Sequence, residues 1–319
     1  MSLNSTRVHI RSRRWIVLFL ALLLLGVLFA SWLLNVSKAG TGVAGCPQGC
    51  ATANERREGP LRVMSLNLLH GFPKFGQLSN RLDLLAAEIR AQDADIVALQ
   101  EMPWTPGIGS AAEYLAERSG LNHLYLRANG NRHAILFEEG EAILSRYPLK
   151  DPGYAELKPR ASFFEHRVVL HATAVTPQGD LPVFVTHLTN GDPEINRAQA
   201  ISLLAFVAEN SNGPAIVAGD FNATEHTATI KAISQQWIDT FRVAHPDDEG
   251  LTCCIGNLTQ GPGEVLEKRI DYLFLVPGSD QGARVLDSQR VFDQPYRLAG
   301  GWQWVSDHVG LLSVIQIDR

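Results

Sequence analysis

The chain has 319 residues, an ordinary globular composition and a formal net charge of −5 at pH 7. Residues 1–59 carry seven basic side chains against two acidic ones, so residues 60–319 sum to −10. That acidic body is large enough for one domain or two small ones. It lacks the basic footprint of a protein that grips long nucleic acid by its phosphates, unless a bound divalent metal supplies local positive charge.

Residues 1–14 are polar and basic and read as a cytoplasmic tail. Trp15 to Leu34 is a run of 20 residues without a charge. At ~1.5 Å per residue it spans ~30 Å, the thickness of a bilayer core. Trp15 and Trp32 sit near its ends, where aromatic rings favour the interface. Arg7, Arg11, Arg13 and Arg14 before it, against Lys38 after it, predict an inside N-terminus and an extracytoplasmic body. The run exceeds the ~7–15 residues of a signal-peptide core, which favours a retained anchor over a cleaved signal. Val43-Ala44-Gly45-Cys46 also resembles a bacterial lipoprotein cleavage box, though farther from the apolar run than usual. All three readings put the body across a membrane. Residues 35–60, rich in Gly, Ala, Ser, Pro and charge, read as a linker.

Strands and helices then alternate. Leu61–Leu69 reads as a strand ending near Asn67. Ser79 to Arg90 has apolar residues at helical spacing, with Ser79 as the N-cap. Asp95–Glu101 is a short strand ending in two polar residues, and Ala111–Ser119 a second helix. From Leu124 to Val185 short strand-like runs follow: Ala134–Phe137, Ala142–Leu144, Arg167–Thr176 and Leu181–Val185. Asp192-Pro193 opens a helix to about Glu209, with Pro193 at the first position. Ala215–Ala218 is a buried strand, with Gly219 letting the chain leave it. Asp220 and Asn222, two apart, share one face in extended geometry. Thr227–Gln235 is a helix, Gly256–Gly263 a loop, and strands at Ile270–Val276, Ala283–Phe292 and Val309–Ile317 close the chain. No fixed-period repeat is visible. The alternation points to α/β or α+β layers.

The four cysteines occur as Cys46-Pro-Gln-Gly-Cys50 and the adjacent Cys253-Cys254. Neither matches zinc-ligand spacing. A disulfide suits an extracytoplasmic domain, but the pairing is not readable from spacing.

Several polar residues stand at the ends of apolar strands: Asn67, Glu101, His187, Asp220, Asn222, Asp271, Asp307 and His308. Carboxylates and carboxamides without cysteine suit a hard, oxygen-seeking cation such as Mg²⁺, with Mn²⁺ as an alternative. The two histidines supply proton transfer or charge neutralisation. Such a set is what water attack on a phosphate ester requires.

The local words are Leu-Asn-Leu-Leu-His-Gly, Ala-Leu-Gln-Glu, Val-Thr-His-Leu, Ala-Gly-Asp-Phe-Asn, Arg-Ile-Asp-Tyr-Leu and Ser-Asp-His, with Gly140–Pro148 as a further match. In this order they resemble the endonuclease/exonuclease/phosphatase superfamily, the deoxyribonuclease-I-like metallohydrolases, over residues 61–319. The resemblance implies a four-layer sandwich of two facing mixed β-sheets flanked by helices. It implies Glu101 as principal metal ligand with Asn67 beside it and Asp307 assisting. It implies Asp220 as the group that orients or deprotonates the attacking water, and Asn222 as a holder of phosphate or water. It also implies His308 on the scissile phosphate with Asp271 as its carboxylate partner, and His187 as a second phosphate-contacting histidine.

Each residue also has a bland reading: a turn for Asn67 or Asp307, a surface charge for Glu101, a structural histidine for His187, an Arg269–Asp271 surface ion pair. His70 reads equally as site rim or packing, and Arg167 leans towards the site. His133, His166, His171, His226 and His245 read as structural or exposed. Asn257-Leu258-Thr259 and Asn222-Ala223-Thr224 match glycosylation sequons, common by chance; the site reading needs Asn222 bare. The segments 103–133 and 242–268 are expected to be loops shaping the substrate pocket. The expected activity is a Mg²⁺-dependent phosphodiesterase acting on phospholipid head groups or another small phosphodiester, in the manner of the sphingomyelinase branch. An extracellular endonuclease, with nucleic acid as substrate, is the alternative, and a non-catalytic tethered binding module a third reading. The membrane, through the N-terminal helix, is an expected partner; no protein partner is evident.

Overall fold

The run Ala215–Asp220 is buried at every position, as an apolar strand must be when strands flank it and layers cover both its faces. The computed structural model describes residues 5–36, 38–52, 58–278 and 282–318. Residues 1–4 of the basic tail, and 37 and 53–57 of the expected linker, lie outside the described part, as do 279–281 and 319. The first half of the chain runs α1 (Ser5–Val36), β1 (Ala44–Cys46), β2 (Leu61–Asn67), α2 (Leu78–Ala91), β3 (Ile96–Thr105), β4 (Gly109–Ser110), α3 (Ala111–Ser119), β5 (Asn122–Asn131), α4 (Arg132–Ile135), β6 (Phe137–Ser145) and β7 (Leu149–Glu156). It continues β8 (Val168–Thr176), β9 (Gly179–His187), α5 (Pro193–Asn210), β10 (Ala215–Asp220), α6 (Ala228–Ser234), β11 (Ile238–Asp239), α7 (Thr240–Ala244), β12 (Asp271–Val276), β13 (Ala283–Val291), β14 (Tyr296–Leu298), β15 (Gly301–Gln303) and β16 (Gly310–Ile317).

One sheet is ordered β1-β5-β6-β3-β2-β16-β13, with β4 on β3, and a second is ordered β11-β12-β10-β9-β8-β7. Both are mixed, since β2–β3 and β9–β10 are parallel while their other neighbours are antiparallel. Strand alternation sorts the apolar residues into layers. Val63, Ile96, Ile143 and Leu311 of the first sheet meet Leu170, Val183, Ile216 and Leu273 of the second in a shared core. Met64, Leu66 and Val97 face outwards onto Leu82, Leu85 and Leu115 of α2 and α3. Phe184, Val217 and Phe274 face outwards onto Leu203 and Ile230 of α5 and α6. The result is the helix–sheet–sheet–helix sandwich that the resemblance implied.

The helix starts follow capping chemistry. Asp192 accepts from the backbone N–H groups of Glu194 and Ile195 with Pro193 next in line, Ser110 accepts from Glu113, and Thr227 accepts from Ile230. Ser79 is not a cap. The buried Leu78 is drawn into the helix, which begins after Gln77 in the left-handed region.

Other expectations need correction. Ala134–Phe137 is not a strand: Asn131 caps the short turn α4 through His133 N–H, and Leu136 at φ 55° ends it. A four-residue apolar run does not distinguish these states. The strand begins at Phe137 and continues through Glu138, Glu139 and Glu141, whose burial the sequence pattern hides. Segment 103–133 is largely regular structure. Gly219 lies inside β10 rather than at its exit, and a Cβ there would strike the Thr186 carbonyl of β9.

The described part of 35–60 is also not a free linker. Gly40 N–H donates to Arg127 O at 2.8 Å, and Ala44–Cys46 pairs with Tyr125–His123. Gly45 permits that approach, since a Cβ would meet the His123 carbonyl. Asn122 Oδ1 accepts from Cys50 and Ala51, and Cys46 is disulfide-bonded to Cys50. The segment covers β5, which would otherwise be an open sheet edge.

Candidate active site

The polar strand ends come together where the two sheets finish side by side. In the second sheet Asp220 is in register with His187 across the parallel β9–β10 pair and with Asp271 across the antiparallel β10–β12 pair. In the first sheet Asn67 ends β2 beside Gln100. One residue on, β3 carries a bulge between Leu99 and Met102, with Glu101 at φ 55°. Expected to end at Glu101, β3 in fact continues to Thr105. The bulge turns the Glu101 carboxylate to the sheet end instead of into the alternating pattern.

Asn67 joins the two sheets. Its Nδ2 donates to Glu101 Oε1 at 3.2 Å and to Asp220 Oδ2 at 3.0 Å. Its Oδ1 accepts from Leu69 N–H at 3.0 Å, which fixes the amide orientation because that backbone group only donates. Asn67 therefore aims one carboxylate from each sheet and turns its oxygen away from them. Glu101 Oε2 also accepts from His70 N–H at 3.1 Å, with the His70 ring 3.6 Å away. That puts His70 on the site rim.

His308 Nδ1 lies 2.9 Å from Asp271 Oδ2, and its Nε2 3.8 Å from Asp220 Oδ2. Burial alone would lower the His308 pKa, but Asp271, Asp220 and Asp307 outweigh it and hold the ring well above its ordinary value. Thr252 Oγ1 fixes the partner by donating to Asp271 Oδ2 at 2.7 Å. The Asp271 carboxylate is thus committed to His308, whereas Arg269 pairs with Asp239 and Glu225. His187 is the opposite case: burial, with Arg167, His308 and His70 nearby, pushes it well below its ordinary value. Its Nε2 lies 2.9 Å from Asn222 Nδ2 and 3.4 Å from Asp220 Oδ2. Asn222 Nδ2 also donates to Leu188 O, so a second donation to His187 Nε2 requires the ring proton on Nδ1, a buried atom with no partner.

Asp220 and Asn222 do not share an extended face. The strand ends at Asp220, and Asn222 at φ 48° folds back so that its N–H donates to Asp220 Oδ1 at 2.8 Å. Burial and the Asp271 charge push the Asp220 carboxyl up to about 7, against the pull of His308 and the two amide donors. Asp307 is raised too, by burial and, in the same direction, by Glu101. Arg167 and Glu101 line a cleft of about 220 Å³ together with His70, Glu139, Phe164 and His187. Burial also raises Glu139. A larger cavity of about 510 Å³ is lined by the Glu225–Arg242–Arg269 ion pairs and by none of the eight residues.

The donor set fits a hard divalent cation. Crowded carboxylates, with Asp271 raising Asp220 and Glu101 raising Asp307, are the environment such an ion relieves, and every cysteine is in a disulfide, Cys253 with Cys254 being the second, so no thiolate competes. Among the described residues, one ligand atom each from Asp220, Asp271 and His308 lies within 4.8 Å of the others. That trio differs from the expected Glu101, Asn67 and Asp307. His308 Nδ1 is already bonded to Asp271 Oδ2, while Asp271 Oδ1 has no partner.

Arg81 was missed from sequence. It is fully buried, donates to the carbonyls of Leu68, Leu69, Gly76 and Val305, and ties together the two loops that carry His70 and Asp307. Burial lowers its pKa to about 10, with Asp307 and Glu101 holding it up. Its signal was present: three residues after Leu78 and four before Leu85, it lies on the apolar face of α2. Ser306, whose Oγ donates to Asn67 O at 2.6 Å, left no comparable trace.

A family model described as Endonuclease/Exonuclease/phosphatase family matches residues 64–308. No curated protein matches the sequence. Solved structures match over most of the chain. An endonuclease/exonuclease/phosphatase family protein from Leptotrichia buccalis is 20% identical, with TM-score 0.62 over 80% of this chain and 99% of that one. A mannosyl-6-phosphatase from Bacteroides thetaiotaomicron is 18% identical, with TM-score 0.63 over 81% and 100%. D. rerio TDP2 complexed with single strand DNA product is 16% identical, with TM-score 0.64 over 81% and 100%. At these identities the likeness to the solved structures is one of fold.

Proposed function

The chain belongs to the Endonuclease/Exonuclease/phosphatase family and is a hydrolase of phosphoric esters, and we propose that it is a Mg²⁺-dependent phosphodiesterase held at a membrane, with phospholipid head groups as substrate class. The observation that carries the reading is the bridge from Asn67 to both Glu101 and Asp220, which joins the acidic ends of the two sheets in one site.

Glu101 and Asp307 would hold the ion, with Asn67 aiming the Glu101 carboxylate. When bound, the ion withdraws charge from a phosphoryl oxygen. Asp220, raised towards neutrality, is suited to orient a water and take its proton near physiological pH. The His308 imidazolium, fixed by Asp271, presents a positive N–H to a second phosphoryl oxygen. Neutral His187 and the Asn222 amide complete the polar wall, and Arg167 stands at the cleft as an ion pair with Glu165.

The most apolar 18-residue window within Arg14–Val36 of α1 has mean hydropathy 2.8 and no buried residue, which supports a segment that inserts into a membrane. The arginine asymmetry and the two disulfides support an extracytoplasmic body. The test is hydrolysis by the purified full chain with Mg²⁺ of sphingomyelin vesicles, a chromogenic phosphodiester and duplex DNA. Cleavage of DNA alone would transfer the assignment to a nuclease.

A further inference from the structure

We infer that an apolar arc beside the cleft rests on the same bilayer that α1 spans, so that the active site opens at head-group level. The inference rests on the anchor reading above, and it deepens the substrate class proposed there.

The first observation is the shortness of the tether. After α1 ends at Val36, Gly40 is already hydrogen-bonded to Arg127 of β5. The residues between, 37–39, reach at most ~14 Å when fully extended. The Trp32 indole N–H, in the last turns of α1, also donates to Ala134 O in α4 at 3.3 Å. A tryptophan four residues before a spanning helix ends belongs at the membrane–water interface. The β5–α4 end of the first sheet therefore sits against the membrane surface.

The second observation is what surrounds that contact. Leu136, two residues after Ala134, is 61% exposed. Phe137 follows and stacks on Phe72 at 4.4 Å, and Phe72 is 45% exposed. Phe137 also packs on His70 and lines the cleft together with Phe164. Phe163 and Phe164, edge to face at 4.9 Å, are each 48% exposed. Phe137 itself is buried, so the exposed apolar side chains are Leu136 near the foot of the anchor, Phe72 over Phe137, and Phe163 with Phe164 at the cleft. Scattered surface hydrophobes need no explanation, but a contiguous set beside a site marks an interaction surface. The occupant is the lipid bilayer because the arc is continuous with the one element that must already lie in it. Aromatic rings suit the head-group boundary.

The test uses the full chain in phosphatidylcholine nanodiscs, with photoactivatable benzoylphenylalanine in place of Leu136, Phe163 or, as control, Leu286. Leu286 is 49% exposed but lies on β13, at the opposite edge of the first sheet. Mass spectrometry is expected to find lipid adducts at 136 and 163 and none at 286. Absence of adducts at 136 and 163, or equal labelling at 286, overturns the inference. The second readout is turnover: L136S/F163S should cleave nanodisc phospholipid at least ~10-fold more slowly while a soluble chromogenic phosphodiester is cleaved within ~2-fold of wild type. Equal loss on both substrates, or none on either, counts against the arc as a membrane surface. Adducts at 136 and 163 in a protein that cleaves no phospholipid would retain the membrane-facing arc and remove only the substrate assignment.

Discussion

The two ring nitrogens of His308 face carboxylates from neighbouring strands: Nδ1 is 2.9 Å from Asp271, and Nε2 is 3.8 Å from Asp220. One carboxylate holds the ring and the other stands where water and phosphate would be. This asymmetry gives Asp271 a positioning role and Asp220 a chemical one.

Replacing Asp271 by Asn removes the charge that holds His308 protonated while keeping the shape. The D271N enzyme should lose about 10²-fold or more in kcat with little change in KM, as expected when charge stabilisation acts mainly in the transition state. The sign for stability follows from the raised His308 pKa. Stability from protonating His308 is fully present below its unfolded value, ~6.5. It is lost as pH rises through the higher folded value. Urea unfolding from pH 6 to 9 should show the wild type losing this contribution, with a smaller loss in D271N.

Asp220 titrates in the other sense for an acid. Its folded pKa, about 7, lies above the ordinary carboxylate value. The stability from its protonated form is present below ~4 and is lost as pH rises towards 7. At pH 8, without divalent ions, D220N should therefore be more stable than wild type by roughly 1–2 kcal/mol, although inactive. Adding Mg²⁺ should narrow the difference. Melting curves with and without chelator measure both effects, and a D220N protein less stable than wild type at pH 8 would contradict the account.

Metal binding separates the two possible ligand sets. E101A and D307A should each weaken Mn²⁺ binding by at least ~10-fold in calorimetry, since each removes a charged oxygen donor. H308A should bind Mn²⁺ nearly as wild type does. The reverse pattern would assign the ion to the Asp220–Asp271–His308 group.

Arg81→Met tests the buried guanidinium. Up to four backbone carbonyls lose their donor, and two site loops lose their tie. Destabilisation of about 2–4 kcal/mol is expected in chemical denaturation. A change under ~0.5 kcal/mol would mean that those carbonyls find other partners.

Strands with uniform burial were legible because their composition states it: Ala215–Asp220 and Asp271–Val276 are apolar nearly throughout. Edge strands were not. In β7, Asp151, Pro152 and Gly153 interrupt a mostly exposed ladder, and β1 is three residues long. Glu138, Glu139 and Glu141 disguised β6, since burying three acids along one strand has no local signature. At the site, the eight strand-end residues were nameable from their order. Their geometry was not: the bulge at Glu101 depends on the pairing with β6, the left-handed turn at Asn222 on Asp220 and Leu188, and the amide bridge from Asn67 on the partner sheet. Arg81 shows the intermediate case, a charge on an apolar helix face that pattern alone exposes.

The central claim is that side chains from the ends of both sheets form a single ion-dependent centre that hydrolyses phosphoric esters. Its most direct measurement is turnover of a chromogenic phosphodiester by the purified full chain across a Mg²⁺ titration, compared with E101A from the first sheet and D220N from the second. The account predicts turnover that rises with Mg²⁺ and vanishes on chelation, and a loss of at least ~10²-fold in each variant. Turnover indifferent to divalent ions, or retained when either carboxylate is removed, would contradict it.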